Sequence, residues 1–425
     1  MKRRGFLLAG SVAGLSAGLS VWLKLRSQPS APAASDRLLP DPQGILQLRE
    51  GFRYRIVERA LSTMDDGYRV PGRPDAMGCF LMADGNWALL RNHELDGSLS
   101  ELGPCAAGQK PSPYAYDAAS PGGVSRLLLD PSGKRLRSNL VLTGTNRNCA
   151  GGMSPWGWLT CEESVESKHG YVFLCSPTAE VLQPPHRIPV YGRFLHEAVA
   201  IDLTDHAAYL TEDRGDGCLY RYLPEQKEQP FCAGKLQALG IVGRPRFELG
   251  DELPKDATLD VQWIDVPHAA GEREDALRYV AQQRGAAVVR RGEGIWRLED
   301  GFAITCTSGG PLQSGQVFHL APTPAGGTLR LLAQSHDPSQ LDMPDNITLT
   351  PWGDLLVCED NRRSNYLRII TRDGKVLPFA HNALSLSEFA GACFSPDGRV
   401  LFVNMQDDGL TLAIEGPFDL LSARS

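Results

Sequence analysis

One recurring pattern limits what this chain can fold into: a glycine-bearing turn, a short apolar run, and a closing carboxylate or amide. It is clearest over 157–163 (GWLTCEE), 353–360 (GDLLVCED) and 398–406 (GRVLFVNMQ), the first two introduced by the near-identical Ser154-Pro155-Trp156 and Thr350-Pro351-Trp352. Looser copies occupy 85–94 (GNWALLRNHE), 206–213 (HAAYLTED) and 301–310 (GFAITCTSGG). Runs this short, cut by turns and lacking a helical period, are strands. Repetition roughly every 50 residues with room for inserted loops is how a β-propeller reads when each copy is one strand of a four-stranded unit. The expectation is an all-β, six-bladed β-propeller with loop and short helical insertions.

In such a fold one strand of each blade lines the central channel, so polar residues ending equivalent strands converge there. Glu94, Glu163, Glu212, Glu359 and Gln406 would then share one funnel. The competing explanation is that strands commonly end in polar residues before turns. Helical periodicity is confined to 272–283 (EREDALRYVAQQ), read as an insertion, and the charged, proline-rich stretch from Pro224 to Val266 reads as a long loop over one face.

Residues 1–34 form a targeting segment, leaving 35–425 as one domain. Arg3-Arg4-Gly5-Phe6-Leu7 followed by an apolar run resembles a twin-arginine signal peptide, which implies passage through the twin-arginine translocase and a periplasmic or secreted product. An ordinary secretory signal or an uncleaved anchor remains the alternative. The net charge is −7, and residues 1–34 hold five basic side chains and no acidic one, so the remainder is at about −12. That excludes nucleic acid as a partner and suits calcium. No stable membrane partner is expected, and the chain should be a monomer.

Ten cysteines in an exported protein raise the prospect of disulfides, and a Cys79–Cys105 bridge stays open. Cys161, Cys306, Cys358 and Cys393 lie inside apolar runs and read as buried thiols. Cys149 differs. It sits in the polar, glycine-rich turn 146–152 (NRNCAGG), where the backbone can come close to an ion, and it is the candidate thiolate ligand.

Further acids fall at comparable places: Glu197 in His196-Glu197, Asp213 after Glu212, Glu293 two residues beyond Arg291, and Asp345 in Pro344-Asp345-Asn346. Acids converging in a small volume either hold protons or admit cations. Hard oxygen ligands select Ca²⁺, and one thiolate among them marks a transition metal, with Fe³⁺ the fitting choice. The metal ligands expected are Cys149, Glu163, Glu197, Glu293, Glu94, Asp213, Asp345 and Glu359. An arginine beside cations is repelled unless an anion lies between, so Arg291 suits a phosphate, and Arg291 and Asn148 are the expected catalytic residues. His93, His196 and His336 are read as packing or supporting residues.

These residues resemble the PhoX-type alkaline phosphatases. The likeness runs through Arg91-Asn92-His93-Glu94, the block from Asn148 to Glu163, His196-Glu197, Arg291 to Gly294, Pro344 to Ile347, Cys358-Glu359-Asp360 and Gly391 to Gly398. It implies a propeller phosphatase acting on small phosphate monoesters, with Cys149 binding ferric iron, two irons sharing an oxo bridge with calcium, Glu163, Glu197 and Glu293 helping to hold the cluster, and Arg291 gripping the phosphate. The family's Thr-Pro-Trp-Gly-Thr-Trp is here Ser154-Pro155-Trp156-Gly157-Trp158, one residue shorter, which leaves Glu162 and Glu163 as rival ligands. Two other functions fit the same residues: a calcium-dependent propeller esterase or lactonase needing neither Cys149 nor Arg291, and a non-catalytic periplasmic binding propeller.

Overall fold

The computed structural model describes residues 36–267 and 275–422. The targeting segment therefore lies outside the described residues. So do residues 272–274 of the expected helix, whose described part contains the α-helix Leu277–Gln283.

Antiparallel meanders stand propeller-like around an axis. Two are separate four-stranded sheets, from Pro74–Leu81 out to Arg135–Thr145 and from Asn148–Ser154 out to His186–Ile188. A third, Pro344–Leu349 to Val376–Asn382, gains Leu46–Arg49 and Leu38–Leu39 at its outer edge. A fourth contains Phe389–Phe394, Val400–Met405 and Leu410–Glu415 and is completed by Arg53–Arg59 from the other end of the chain. The largest sheet has nine strands: the meanders from His196–Ile201 to Gly234–Ile241 and from Gly292–Arg297 to Gly326–Gln334 are joined by Thr258–Asp265, which pairs with the outer strand of each.

Two of these strands replace the long loop expected over 224–266. Gly234–Ile241 and Thr258–Asp265 flank a turn-rich stretch, and the charges of that stretch hid them. Nor is there a Cys79–Cys105 bridge. All ten cysteines are free, and Cys79 is buried against the sheet of Cys393.

The first strand of each meander is the innermost, and these strands lie side by side in a ring. Their backbones approach so closely that glycine is required. A Cβ on Gly152 would sit 1.7 Å from the Val199 carbonyl oxygen, and Gly391, at φ +65°, would meet the Asp75 carbonyl oxygen at 2.3 Å. Apolar side chains fill the wedges between sheets, with Trp158, Phe173, Tyr209 and Phe302 in the largest cluster.

Candidate metal centre

Five innermost strands carry a ligand-type side chain at their second residue: Asp75, Cys149, Glu197, Glu293 and Asp345. The remaining one has Ala390 there and is preceded by Glu388. In every case the pairing with the second strand shifts register within the next few residues, as between Pro74 and Met77 or Asn148 and Gly151. A bulge at that point twists the strand and re-aims its first residues.

Neighbouring second strands fix where these residues sit. Asn92 donates to the carbonyls of Cys149 (2.9 Å) and Ala150 (2.7 Å), Thr211 to that of Glu293 (2.5 Å), Thr305 to that of Asp345 (2.6 Å) and Asn404 to that of Asp75 (2.5 Å). The side chains form four overlapping groups in which potential ligand atoms lie within 4.8 Å of one another: Asp75, Glu94 and Cys149; Cys149, Glu163 and Glu197; Glu197, Glu293 and Asp345; Asp345, Asp360 and Glu388.

Second strands contribute the residue just beyond their ends. Glu94, Glu163, Asp213, Asp360 and Gln406 line the same cavity of about 570 Å³. The preceding residue of each faces the other way, because one step along a strand reverses the side chain. Of the rivals Glu162 and Glu163, it is Glu163 that lines the cavity. Glu162 is turned into the sheet flank, 2.6 Å from His169 Nδ1, and accepts from the backbone of Gly170 and Asn146.

The same reversal corrects two expectations. Glu212 accepts from Cys218 N and Tyr220 Oη (both 3.0 Å), and Glu359 from Arg368 Nε (3.0 Å), Asp342 N (2.9 Å) and Tyr366 N (3.1 Å). Both are buried structural acids, and Asp213 and Asp360 stand at the cavity in their place. Asn148 is likewise part of the frame, fully buried between Thr145 Oγ1 (2.5 Å) and Thr160 Oγ1 (2.9 Å), and it does not line the cavity. His93 and His196 pack as expected, on Gly72 and Ser125 and against Phe194 respectively.

Three arginines rim the cavity from equivalent positions, each immediately before an innermost strand and each with left-handed backbone: Arg73 (φ +41°), Arg147 (+49°) and Arg291 (+49°). A left-handed conformation in non-glycine residues is strain held by its surroundings, and it clusters at functional sites. Arg73 binds Glu94 (2.8 Å) and Asp407, and Arg147 binds Glu94 (3.0 Å) and Glu163 (2.8 Å). Arg291 is gripped by Asp213 through Nε (3.0 Å) and Nη2 (3.3 Å), meets Glu293 at 2.6 Å and has Asp360 at 3.8 Å.

These three arginines, even with Arg362 also at the cavity, do not balance this many acids. Burial first, then neighbouring carboxylates, push Asp75, Glu197 and Glu293 well above the usual carboxylate range, while burial takes Glu163 to about 8 and Asp345 to about 7. The Cys149 thiol is raised in the same way, by burial and then by Asp75 and Glu197. Glu197 is decisive: it is fully buried, and among the described residues neither carboxylate oxygen has a hydrogen-bond partner. A lone buried acid costs several kcal/mol unless something meets it. Cations fit these donors, with oxygen ligands throughout and a single sulfur.

Sequence reasoning missed Asp75 and Glu388. Pro74-Asp75 repeats Pro344-Asp345, and that echo was the signal available for the first. Glu388 sits where three other meanders have an arginine and two have Leu195 and Met343, so no repeat pointed to it.

The family model described as alkaline phosphatase PhoX matches residues 120–409. No curated protein sequence matches the chain. Among solved structures, Pseudomonas fluorescens PhoX in complex with vanadate, a transition state analogue, is similar with a TM-score of 0.66 at 17% identity, over 88% of this chain and 96% of that one. A gluconolactonase from Xanthomonas campestris reaches a TM-score of 0.42 at 14% identity, over 92% and 99% of the respective chains.

Proposed function

The chain belongs to the PhoX alkaline phosphatase family and is a phosphatase acting on phosphate esters; from that premise we propose that it works through iron and calcium held at the mouth of a six-bladed propeller. The nine-stranded sheet counts as two blades fused at their outer edges by Thr258–Asp265. Iron would be held by the Cys149 thiolate with Glu163 and Glu197, and calcium by oxygen-only groups such as Asp345, Asp360 and Glu388. The observation that carries the reading is Glu197, whose buried, unpartnered carboxylate has no other evident use.

When bound, such cations neutralise charge on the phosphoryl group and supply Lewis acidity. The chain's own residues do the rest. Arg291 would bind and orient the phosphate with its planar fork, and Asp213, on the Nε edge, would keep that fork from turning. Arg73 and Arg147 hold Glu94 and Glu163 in place, so that loading and unloading need not displace those side chains. Ala76, Ala150, Ala198, Gly294 and Gly391, on the same innermost strands, line a small cavity of about 30 Å³.

Export through the twin-arginine route and a periplasmic or secreted location complete the proposal, on the strength of Arg3-Arg4 and the apolar run after it. Elemental analysis of the purified protein, with p-nitrophenyl phosphate hydrolysis before and after chelation, tests the metal assignment. Full activity in protein stripped of iron and calcium would end it. Inhibition by vanadate is the matching expectation for the phosphoryl site, since the similar Pseudomonas fluorescens protein is described with that analogue.

A further inference from the structure

We infer that the enzyme has a subsite for a second anionic group on its substrate, formed by Arg362 and Arg363 on the leaving-group side of the phosphate; this rests on the phosphatase reading with Arg291 as the phosphate ligand. A second cavity of about 830 Å³ adjoins the acidic one, and Arg291, Asp360, Asn361 and Arg362 line both. A phosphate gripped by Arg291 therefore has two directions open to it. One leads onto the acids, and the other into this neighbouring space, which is where the esterified alcohol must go.

The neighbouring cavity differs in character from the first. Leu312, Pro338 and Met343 give it an apolar wall, and Arg363 joins Arg362 at its edge. Arg73, Arg147 and Arg291 are all engaged by carboxylates, whereas among the described residues neither Arg362 nor Arg363 has an ion pair within 4.0 Å, and both are exposed. Unengaged cations facing a cavity in a protein of strongly negative charge are placed for an incoming anion.

Their backbone is held firmly. Asn361 Oδ1 accepts from Arg363 N (2.8 Å) and Ser364 N (2.9 Å), while Asn365 Oδ1 accepts from Asn361 N (2.8 Å) and Asn365 Nδ2 donates to Asn361 O (2.9 Å). Two asparagines thus bracket the turn that presents the guanidinium groups, so less freedom is lost when a ligand binds. The favoured substrates would be phosphate monoesters whose alcohol or phenol part carries a carboxylate or a further phosphate.

The test compares kcat/KM for 4-carboxyphenyl phosphate and phenyl phosphate, which differ only by the added carboxylate. Metal-loaded wild type should prefer the carboxylated ester, and the R362A/R363A double variant should lower the ratio of the two values by about tenfold, with R362K/R363K restoring most of it. Raising ionic strength should erode the wild-type preference, because exposed charges are screened. An identical ratio in wild type and R362A/R363A, with both hydrolysing phenyl phosphate, overturns the subsite alone. Wild type inert towards both esters overturns the phosphatase reading and the subsite with it.

Discussion

Replacing Glu197 by glutamine should stabilise the metal-free protein while abolishing its function, and the gain should grow with pH. Glu197 is fully buried, its oxygens are unpartnered, and burial followed by Glu293 and Asp345 raises its folded pKa well above the ordinary 4.5. A carboxylic acid with a raised folded pKa contributes no penalty below its unfolded pKa, and stability is lost as pH rises above it. Holding the proton above the unfolded value of 4.5 costs roughly 1.4 kcal/mol for each pH unit until the folded pKa is passed, so the cost is small at pH 5 and larger at pH 8. Glutamine has the shape of the protonated acid and carries no such cost. In a unit this size each pH unit of that cost is worth on the order of 2 °C in Tm, so the gap between the two proteins should widen from pH 5 to pH 8. Differential scanning calorimetry of chelated wild type and E197Q at both pH values reads it directly. Returning iron and calcium should raise the wild-type Tm and leave E197Q behind. A chelated E197Q that melts no higher than wild type at pH 8, or gains equally at pH 5, refutes the argument that this carboxylate is an uncompensated buried acid.

Cys149→Ser should remove iron from the purified protein, with any visible thiolate-to-iron absorption, and lower kcat/KM for p-nitrophenyl phosphate at least ~100-fold; unchanged activity would favour a calcium-only hydrolase. Arg291→Ala should cost ~10²–10³ in kcat/KM, or about 3–4 kcal/mol, with Arg291→Lys recovering only part because it lacks the fork. Glu359→Ala should leave metal content as it was but destabilise the fold by about 3–5 kcal/mol, since Arg368 is then buried without its partner, as urea unfolding would show.

What could be read from the sequence, and what could not, divides along physical lines. Short apolar runs between glycine turns announce strands because turn chemistry and hydrophobicity are local properties, and Cys149 stood out because its neighbours are polar and glycyl. Side-chain direction is another matter. In Glu162-Glu163, Glu212-Asp213 and Glu359-Asp360 both residues are acidic, so composition is silent on which one faces the axis, and only pairing register decides. The notion of a shared funnel survived, while two of its members were displaced by one residue. Glu388 was out of reach for a different reason: it precedes its innermost strand at a place where no other meander has an acid, whereas Asp75 was signalled by the echo of Pro344-Asp345 in Pro74-Asp75.

The ring is sealed by a strand from near the start of the chain pairing with one near its end, Arg53–Arg59 with Leu410–Glu415, and the sheet so completed meets the first meander where Gln406 Nε2 donates to Asp75 Oδ2 at 2.6 Å. A growing polypeptide therefore displays most of its acids long before the last of them can be brought opposite the first. Until residue 415 has left the ribosome no complete cage exists, so any metal held there would be acquired by a finished molecule rather than a nascent one. Any transport machinery that handles the loaded form has to accept it already folded.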